Sequence, residues 1–151
     1  MPIRHLVASG LTCMLLMTTY ASASMVEVQM LNKTVDGTRG FEPAIVYIQS
    51  GDSVHFVATD KGHNVEQIPG MLPEGAKPFT GKISHDLTVN FSKPGVYGYR
   101  CVVHYSMGMV GLVVVGAPLN EDAARQIRQP SDAKARFSQL FQALDAHNLL
   151  R

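Results

Sequence analysis

The chain has 151 residues, with 13 Lys and Arg, 12 Asp and Glu, and a formal net charge of +1 at pH 7. This near-balance argues against nucleic acid and against a membrane surface as partners, since both favour a strongly basic protein. The length is sufficient for one domain with a substantial hydrophobic core.

The first 23 residues have the pattern of a secretory signal peptide. The start is weakly basic, residues 6–17 form an apolar run too short to span a bilayer, and Ala21-Ser22-Ala23 resembles a cleavage site. We therefore expect export and cleavage after about Ala23. A lipoprotein signal at Cys13 is disfavoured because too little apolar sequence precedes that cysteine.

Cleavage at this point would leave residues 24–151, with Cys101 as the single cysteine. An exported protein with one cysteine has no internal disulfide, so the thiol needs another reason to be present. Metal ligation is such a reason, because it also protects the sulfur from oxidation.

Short strands separated by turns are predicted from residue 24 to residue 116. Apolar residues alternate with polar ones or form short runs, and Gly, Asp, Lys and Pro mark the turns between them. The runs are 26–30, 44–48, 54–58, 87–91, 97–101 and 109–115. This pattern predicts a mainly β protein with two packed antiparallel sheets.

Residues 117–151 change to a helical period and predict two C-terminal α-helices. Asn120 is the expected N-cap of the first helix, which Pro130 ends, and Ser131 is the expected cap of the second. The second helix has an apolar stripe made of Phe137, Leu140, Phe141 and Leu144. Such a stripe would either dock in a groove with a partner protein or, as we expect, pack against the sheets.

A group of metal-ligating side chains lies between two of the predicted strands. The segment from Cys101 to Met109 reads Cys-Val-Val-His-Tyr-Ser-Met-Gly-Met, and Gly108 and Gly111 permit the tight backbone of a metal-binding turn. Cys101 and His104 are the strong ligands of this segment. Met109 is better placed than Met107 for a further contact, and an upstream polar turn contributes His63.

The ligand types favour copper. A thiolate, two imidazoles and a thioether are soft or borderline donors that suit an ion cycling between Cu(I) and Cu(II). Zinc is the competing metal, but a catalytic zinc site needs an open water position and no hard third ligand is evident. Each residue alone has a simpler explanation: a buried Cys101, a surface His104 or a core Met109. The combination, with His63 upstream, predicts a copper site.

These residues resemble the cupredoxins, or type 1 blue copper proteins, and most closely the pseudoazurin group. The Cys-x2-His-x4-Met loop is shared with plastocyanin and pseudoazurin, while the short interval between His63 and Cys101 and the long C-terminal segment favour pseudoazurin. The matching strings, which extend over essentially all of residues 24–151, include Met30-Leu31-Asn32-Lys33, Phe41-Glu42-Pro43-Ala44, Asp60-Lys61-Gly62-His63-Asn64-Val65-Glu66 and Pro73-Glu74-Gly75-Ala76.

The resemblance implies a fold and a function. The fold is a Greek-key β-sandwich of about eight strands with two C-terminal helices. One type 1 copper per chain is held by His63, Cys101, His104 and Met109, and Asn64 ties the two ligand loops together. From the residues alone, an Asx turn in a polar loop explains Asn64 equally well. The protein would be a monomeric periplasmic carrier of single electrons, not an enzyme. Its partners would be a nitrite reductase or a similar denitrification enzyme and c-type cytochromes, without nucleic acid or membrane insertion.

In such proteins electrons pass through the exposed edge of the loop histidine, here His104. Apolar residues ring this edge, and lysines around it dock acidic partners. The candidates for the apolar ring are Pro43, Met71, Leu72, Pro73 and Met107. The candidate basic residues are Lys33, Lys61, Lys77, Lys82 and Arg100, with Arg39 at a position where relatives have an uncharged residue.

Two other functions compete with electron transfer. A copper chaperone would hold Cu(I) for delivery, and Met107 and Met109 lend it slight support. A small copper enzyme would require an open coordination position. The remaining histidines, His55, His85 and His147, have no partner at ligand spacing, so we expect surface or helical positions for them. The acids near His63 lack a nucleophile or a second carboxylate in a shared pocket.

Overall fold

The computed structural model of the chain describes residues 22–150, so the first 21 residues of the predicted signal peptide lie outside it. Between these limits the chain forms eight strands, one short 3-10 helix at Tyr105–Met107 and two α-helices. The strands are β1 (Met25–Leu31), β2 (Gly40–Glu42), β3 (Ile45–Ile48), β4 (Ser53–Val57), β5 (Glu66–Gln67), β6 (Leu87–Asn90), β7 (Gly95–Arg100) and β8 (Val110–Val115). The helices are α1 (Glu121–Arg125) and α2 (Ser131–Asn148).

The strands form two four-stranded sheets. The strand order is β2-β1-β4-β6 in the first sheet and β3-β8-β7-β5 in the second. The pairs β1–β4 and β3–β8 are parallel, so the prediction of antiparallel sheets was wrong for one pair in each sheet, and the other pairs are antiparallel. The predicted mainly β architecture, with two sheets, eight strands and two C-terminal helices, is confirmed.

The inner faces of the two sheets enclose an aromatic core. In β4, Val54 and Phe56 are fully buried while the intervening His55 is only partly buried, which is the period-two pattern of a strand with one face on the core. The ring of Tyr99 on β7 meets Phe41 and Phe56 edge to face, at centroid separations of 4.8 and 5.1 Å. This core joins the strands that lead to both predicted ligand segments.

Strand β8 is buried along its whole length because both of its faces are covered. Val113 and Val115 face the core between the sheets, whereas Leu112 and Val114 belong to a second apolar cluster beneath the helices. This double burial explains why the strand is a continuous apolar run and does not alternate. The predicted stripe on α2 lies in the second cluster, so its packing against the sheets is confirmed.

The two helix starts differ from the prediction. Asn120 precedes α1 but does not cap it; its side chain accepts the Val96 amide hydrogen at 2.7 Å and donates to the Val96 carbonyl at 2.9 Å. Ser131 is the first helical residue of α2, after Pro130 at the N-cap position. The helix α1 also ends at Arg125, earlier than Pro130 implied. Long-range pairing with β7 thus outweighs local capping at Asn120.

Two strands are too short to produce a sequence signal. Strands β2 and β5 have three and two residues, so no alternation can be read from them.

Within residues 22–150, no helix has the length and apolar character needed to cross a membrane.

Candidate metal centre

The predicted ligands come from two neighbouring parts of the sandwich. His63 follows β4, in a turn where Gly62 has a φ of 90°. Cys101 directly follows β7, and His104 lies in the loop between β7 and β8. The ends of these strands meet at one end of the sandwich. His63 therefore lies close to Cys101 and His104, which follow it by 38 and 41 positions in the sequence.

The nitrogen and sulfur atoms of His63, Cys101 and His104 converge. The two Nδ1 atoms are 3.1 Å apart, and Cys101 Sγ lies 3.9 Å from His63 Nδ1 and 3.6 Å from His104 Nδ1. Among the described residues, these three form the one group of His, Cys, Asp or Glu close enough to share a metal ion.

These separations fit one shared ion. First-row metals such as zinc bind imidazole nitrogen at about 2.0 Å and thiolate sulfur at about 2.3 Å. Two ligand atoms of the same ion are then at most roughly 4.3 Å apart, and all three observed distances are shorter. With one soft thiolate and two imidazoles, the group suits copper.

Asn32 orients the imidazole of His63. His63 Nε2 lies 2.9 Å from Asn32 Oδ1, an acceptor, so the Nε2 atom carries the hydrogen and donates it. The Nδ1 atom then has its lone pair directed at Cys101 and His104. A ligating histidine held by a second hydrogen bond in this way is typical of protein metal sites. Sequence reasoning missed this role of Asn32, which stands 31 positions before His63 and gives no spacing signal.

Burial and charge favour the neutral forms of both histidines. Burial is the main cause that lowers the pKa of His63, with smaller contributions from His104 and Arg39, while Asp60 opposes them. Burial, followed by the charge of Arg39, also lowers the pKa of His104. Both imidazoles therefore have lone pairs free for a metal ion at neutral pH.

The backbone holds Met109 close to the strong ligands. The Cys101 amide donates to the Met109 carbonyl at 2.9 Å, and the Met109 amide donates to the His104 carbonyl at 3.2 Å. Met109 is fully buried.

Gly108 has a φ of 84°, so the predicted tight turn at this glycine is confirmed. Gly111 is different: it lies within β8 and leaves room for the Tyr99 ring, which a Cβ would approach to 2.4 Å.

The side chain of Asn64 connects three segments near the ligands. Its oxygen accepts the Val102 amide hydrogen at 2.9 Å, and its nitrogen donates to the Gly81 carbonyl at 3.2 Å. Asn64 is only 4% exposed, so water does not compete freely for these bonds. The residue after the first histidine is thereby bonded to the residue after the cysteine.

Arg100 is engaged in contacts within the chain. Its guanidinium donates to Glu66 Oε1, with N–O distances of 3.0 and 2.5 Å, and lies 4.8 Å from the centre of the Tyr105 ring. The hydroxyl of Tyr105 donates to Gln129 in the segment between α1 and α2. The loop that contains His104 is therefore braced on one side by an ion pair and on the other by the helical extension.

His104 is the most accessible of the converging side chains, since His63 and Cys101 are fully buried and His104 is partly exposed.

The predicted apolar ring around His104 needs correction. Met71 is fully buried beneath Gly98, and Pro73 is buried too, so neither reaches the surface. Pro43 and Met107 are exposed, Leu72 is partly buried, and the apolar side chains that the prediction missed are Val102 and Val103.

The predicted basic residues lie at different distances from the metal centre. Lys33 follows Asn32, Lys61 lies two residues before His63, and Lys82 belongs to a loop whose Ser84 amide donates to the His63 carbonyl at 2.8 Å. Lys77 instead lines a cleft with Lys93 and Tyr97, near the start of β7. All four lysines are exposed.

The other histidines lie elsewhere, as predicted. The ring of His55 meets Thr88 Oγ1 at 2.8 Å on the first sheet, and His85 Nδ1 lies 2.8 Å from the Ile83 carbonyl oxygen. His147 on α2 stacks on Tyr47 with ring centres 3.8 Å apart. None of the three belongs to the metal-ligating group.

Comparison with known proteins agrees with the geometry. Residues 28–116 match the model of the copper binding proteins of the plastocyanin/azurin family. The pseudoazurin of Paracoccus pantotrophus is 45% identical over 88% of this chain and 92% of its own length. That of Methylorubrum extorquens is 43% identical over 91% of this chain and 95% of its own length.

A solved structure extends the comparison to three dimensions. The crystal structure of pseudoazurin from Methylobacterium extorquens AM1 is 44% identical, with a TM-score of 0.77 over 80% of this chain and 98% of that chain. The chain therefore belongs to the plastocyanin/azurin family of copper-binding proteins and, within it, to the pseudoazurins, which are electron carriers and not enzymes.

Proposed function

We propose that this chain is a periplasmic carrier that binds one copper ion through His63, Cys101, His104 and Met109 and donates single electrons to a nitrite reductase or a similar respiratory enzyme. The observation that carries the proposal is the convergence of the three strong donor atoms within 4.8 Å of one another. A bound copper ion supplies the chemistry, a reversible change between Cu(I) and Cu(II).

The chain contributes a rigid set of donors. His63 is held by Asn32, Cys101 by its backbone bond to Met109, and the two ligand segments by Asn64. Ligands that are fixed by a folded scaffold move little when the charge of a bound ion changes, and small movement keeps the barrier to electron transfer low. We assign to Met109 the role of a weak fourth ligand, because its backbone is bonded to both Cys101 and His104.

The surface around His104 is the proposed entry and exit for electrons. His104 is partly exposed, and the nearby side chains of Val102, Val103 and Met107 are each about half exposed. An apolar patch of this kind allows close contact with a partner without strong, long-lived binding.

Lys33, Lys61 and Lys82 form the proposed docking surface for acidic partners. None of the three has an ion-pair partner in the described part of the chain. Arg100, also predicted to dock partners, contributes little net charge because Glu66 pairs with it. Lys77 lies with Lys93 in a separate cleft, so its contribution would come from long-range attraction.

Location in the periplasm follows from the proposed leader. Its apolar run and small-residue cleavage site precede a domain that starts at about Ser24, and β1 begins at Met25. A nitrite reductase or a c-type cytochrome as partner is consistent with a carrier located in that compartment.

The test of copper binding is the visible spectrum of residues 24–151 after addition of Cu(II), followed by ascorbate and then re-oxidation. We expect an intense thiolate-to-copper band that bleaches on reduction and returns on oxidation. Cys101→Ser removes the thiolate, so the spectrum of that variant with Cu(II) should lack the thiolate-to-copper band. A weak band in the unsubstituted protein would contradict the four-ligand copper site.

Transfer of the metal separates a carrier from a copper chaperone. The reduced, copper-loaded protein is mixed with a competing apo-protein that binds Cu(I), and copper is measured in both after separation. A carrier retains its copper and then reduces nitrite reductase in stopped-flow mixing. Rapid loss of copper to the competitor, without electron transfer to the reductase, would contradict the proposal.

A further inference from the structure

Asp52 is a buried carboxylate at the start of β4, far from the metal centre. It is 8% exposed and accepts the Ser24 amide hydrogen at 2.7 Å and the Gln49 amide hydrogen at 2.9 Å. These hydrogen bonds, led by the bond from Ser24, lower the pKa of Asp52, so the group is ionised at neutral pH. No Lys, Arg or His of residues 22–150 pairs with it.

Two main-chain hydrogen bonds stabilise this charge, and a positive partner beside it would stabilise it further. The side chains of the described residues do not supply one. The nearest donor is the main-chain nitrogen of Ser24.

The position of Ser24 is set by the sheet that follows it. The Ser53 amide donates to the Ser24 carbonyl at 2.9 Å, and Met25 then pairs with Ser53 in the parallel β1–β4 ladder. The Ser24 nitrogen is thus held against Asp52 by contacts of Ser24 itself and of the residues after it. Removal of the residues before Ser24 leaves these contacts in place.

We propose that cleavage of the leader between Ala23 and Ser24 converts the Ser24 nitrogen into an ammonium group that forms an ion pair with Asp52 and fastens the new chain end to the sheet. This inference rests on the proposed export of the chain. In the cleavage a peptidase adds water across the peptide bond. The Ala23 carbonyl carbon gains the oxygen and leaves as a carboxylate, and the Ser24 nitrogen takes up protons to become the ammonium.

The ion pair is stronger than the hydrogen bond that precedes it. An amide offers one neutral N–H, and its bond to Asp52 is already strengthened by the charge on the carboxylate. An ammonium offers three donors and adds a full positive charge, so a Coulombic attraction is gained. An amino terminus has an ordinary pKa of about 7.7–8.0. The neighbouring carboxylate raises that pKa, so the terminus is charged at neutral pH.

Strand β1 connects this ion pair with the copper site. One end of the strand is fastened at Ser24 and Asp52, and Asn32, directly beyond its other end, orients His63. Seven strand residues span roughly 23 Å. The pair therefore stabilises the fold at the end remote from the metal and should leave the copper spectrum unchanged.

The test is a cycle of four proteins measured by chemical denaturation. One pair begins at Ser24, released from a cleavable carrier, and the other retains Ser22 and Ala23; each pair includes an Asp52→Asn version. We expect the two extra residues to raise the unfolding equilibrium constant roughly three- to fivefold with Asp52 present and less than about 1.5-fold with Asp52→Asn. Equal effects in both backgrounds would overturn the ion pair.

Asp86→Asn is the control for loss of a carboxylate, at an exposed position where Asp86 lies 3.9 Å from His55. Asp86 also accepts a main-chain hydrogen bond, from Ala58 at 2.8 Å, but it does not contact the chain terminus. The extra residues should therefore have the same effect with Asp86 and with Asp86→Asn. An equally large dependence on Asp86 would show a general effect of charge and would contradict a specific pair.

Two further measurements keep the proposal testable if Asp52→Asn fails to fold. The intact mass of the exported protein should correspond to a start at Ser24, and another first residue would overturn the inference. The pKa of the terminal amine, followed by NMR after isotopic methylation, should lie above 8; a value in the ordinary range would overturn it as well. Loss of the copper band with this amine pKa intact would count against the proposed function alone.

Discussion

The oxygen of Asn64 accepts the Val102 amide hydrogen at 2.9 Å, which joins the residue after the first histidine of the site to the residue after its cysteine. The same side chain donates to the Gly81 carbonyl, so one buried amide links three segments. Neither Asn64 nor Val102 contributes an atom to the metal-ligating group. The convergence of His63 and Cys101 depends in part on this link.

Asn64→Ala should lower the free energy of unfolding of the apoprotein by about 2–4 kcal/mol, since it leaves the buried Gly81 carbonyl and the partly buried Val102 amide without partners. Urea denaturation measures the change. Asn90→Ala is the control, because the Asn90 amide also bonds main-chain oxygens but is exposed. We expect less than about 1 kcal/mol there. Equal losses would contradict the role assigned to Asn64.

Met109→Gln should keep copper and lower the reduction potential, because an amide oxygen is a harder donor than a thioether and favours Cu(II) over Cu(I). Voltammetry of the copper-loaded protein measures the shift. Met107→Gln is the control: Met107 is about half exposed, and we expect its substitution to leave the potential nearly unchanged. An unchanged or raised potential in Met109→Gln would count against Met109 as a ligand.

Lys33→Ala and Lys61→Ala should each slow association with an acidic redox partner by roughly two- to tenfold at low salt, without a change in potential. Stopped-flow kinetics at several ionic strengths measures the effect, which should shrink as salt is added. Lys93→Ala removes the same charge from a residue that lines the cleft near the start of β7. Rates insensitive to the first two substitutions and to salt would remove the basis for the docking surface.

Gly111→Ala should destabilise the protein by about 2 kcal/mol or more. The new Cβ would lie 2.4 Å from Tyr99 Cζ and 2.7 Å from the Ala44 carbonyl oxygen, a main-chain atom that cannot easily move away. Gly81→Ala serves for comparison, since its nearest contacts are 3.4 Å away and its φ is not positive. Thermal unfolding of the two variants should separate them clearly, and similar melting temperatures would show that the core adapts around Tyr99.

The apoprotein should lose stability as the pH falls below about 6.5, the ordinary pKa of histidine. Folding lowers the pKa of His63 and of His104, so in this range the unfolded chain binds more protons than the folded one. Stability is thus fully present above the unfolded pKa and decreases as the pH falls toward the folded values. Melting temperatures from pH 7.5 to 5 test this. A flat profile, or one that rises at low pH, would contradict it.

Several features could be predicted from local pattern alone. The alternation in β1 and β4, the apolar stripe of α2 and the Cys-x2-His-x4-Met spacing each extend over a few residues, so they are visible in the order of the residues. The failures share a cause. The residue pattern predicts surface positions for Met71 and Pro73 and a helix cap at Asn120, and in each case packing against β7 decides the outcome.

Residue type and short spacing are enough to predict the two-sheet fold class, the helical extension and the four candidate copper ligands, because they dictate periodicity and donor chemistry. Three contacts emerge only from the folded chain: Asn32 orients His63, Asn64 reaches Val102, and Ser24 lies against Asp52. These partners are 28 to 38 positions apart. Which of them meet depends on the register of β1 against β4 and on how the ends of the two sheets come together, and no local pattern in the chain specifies either.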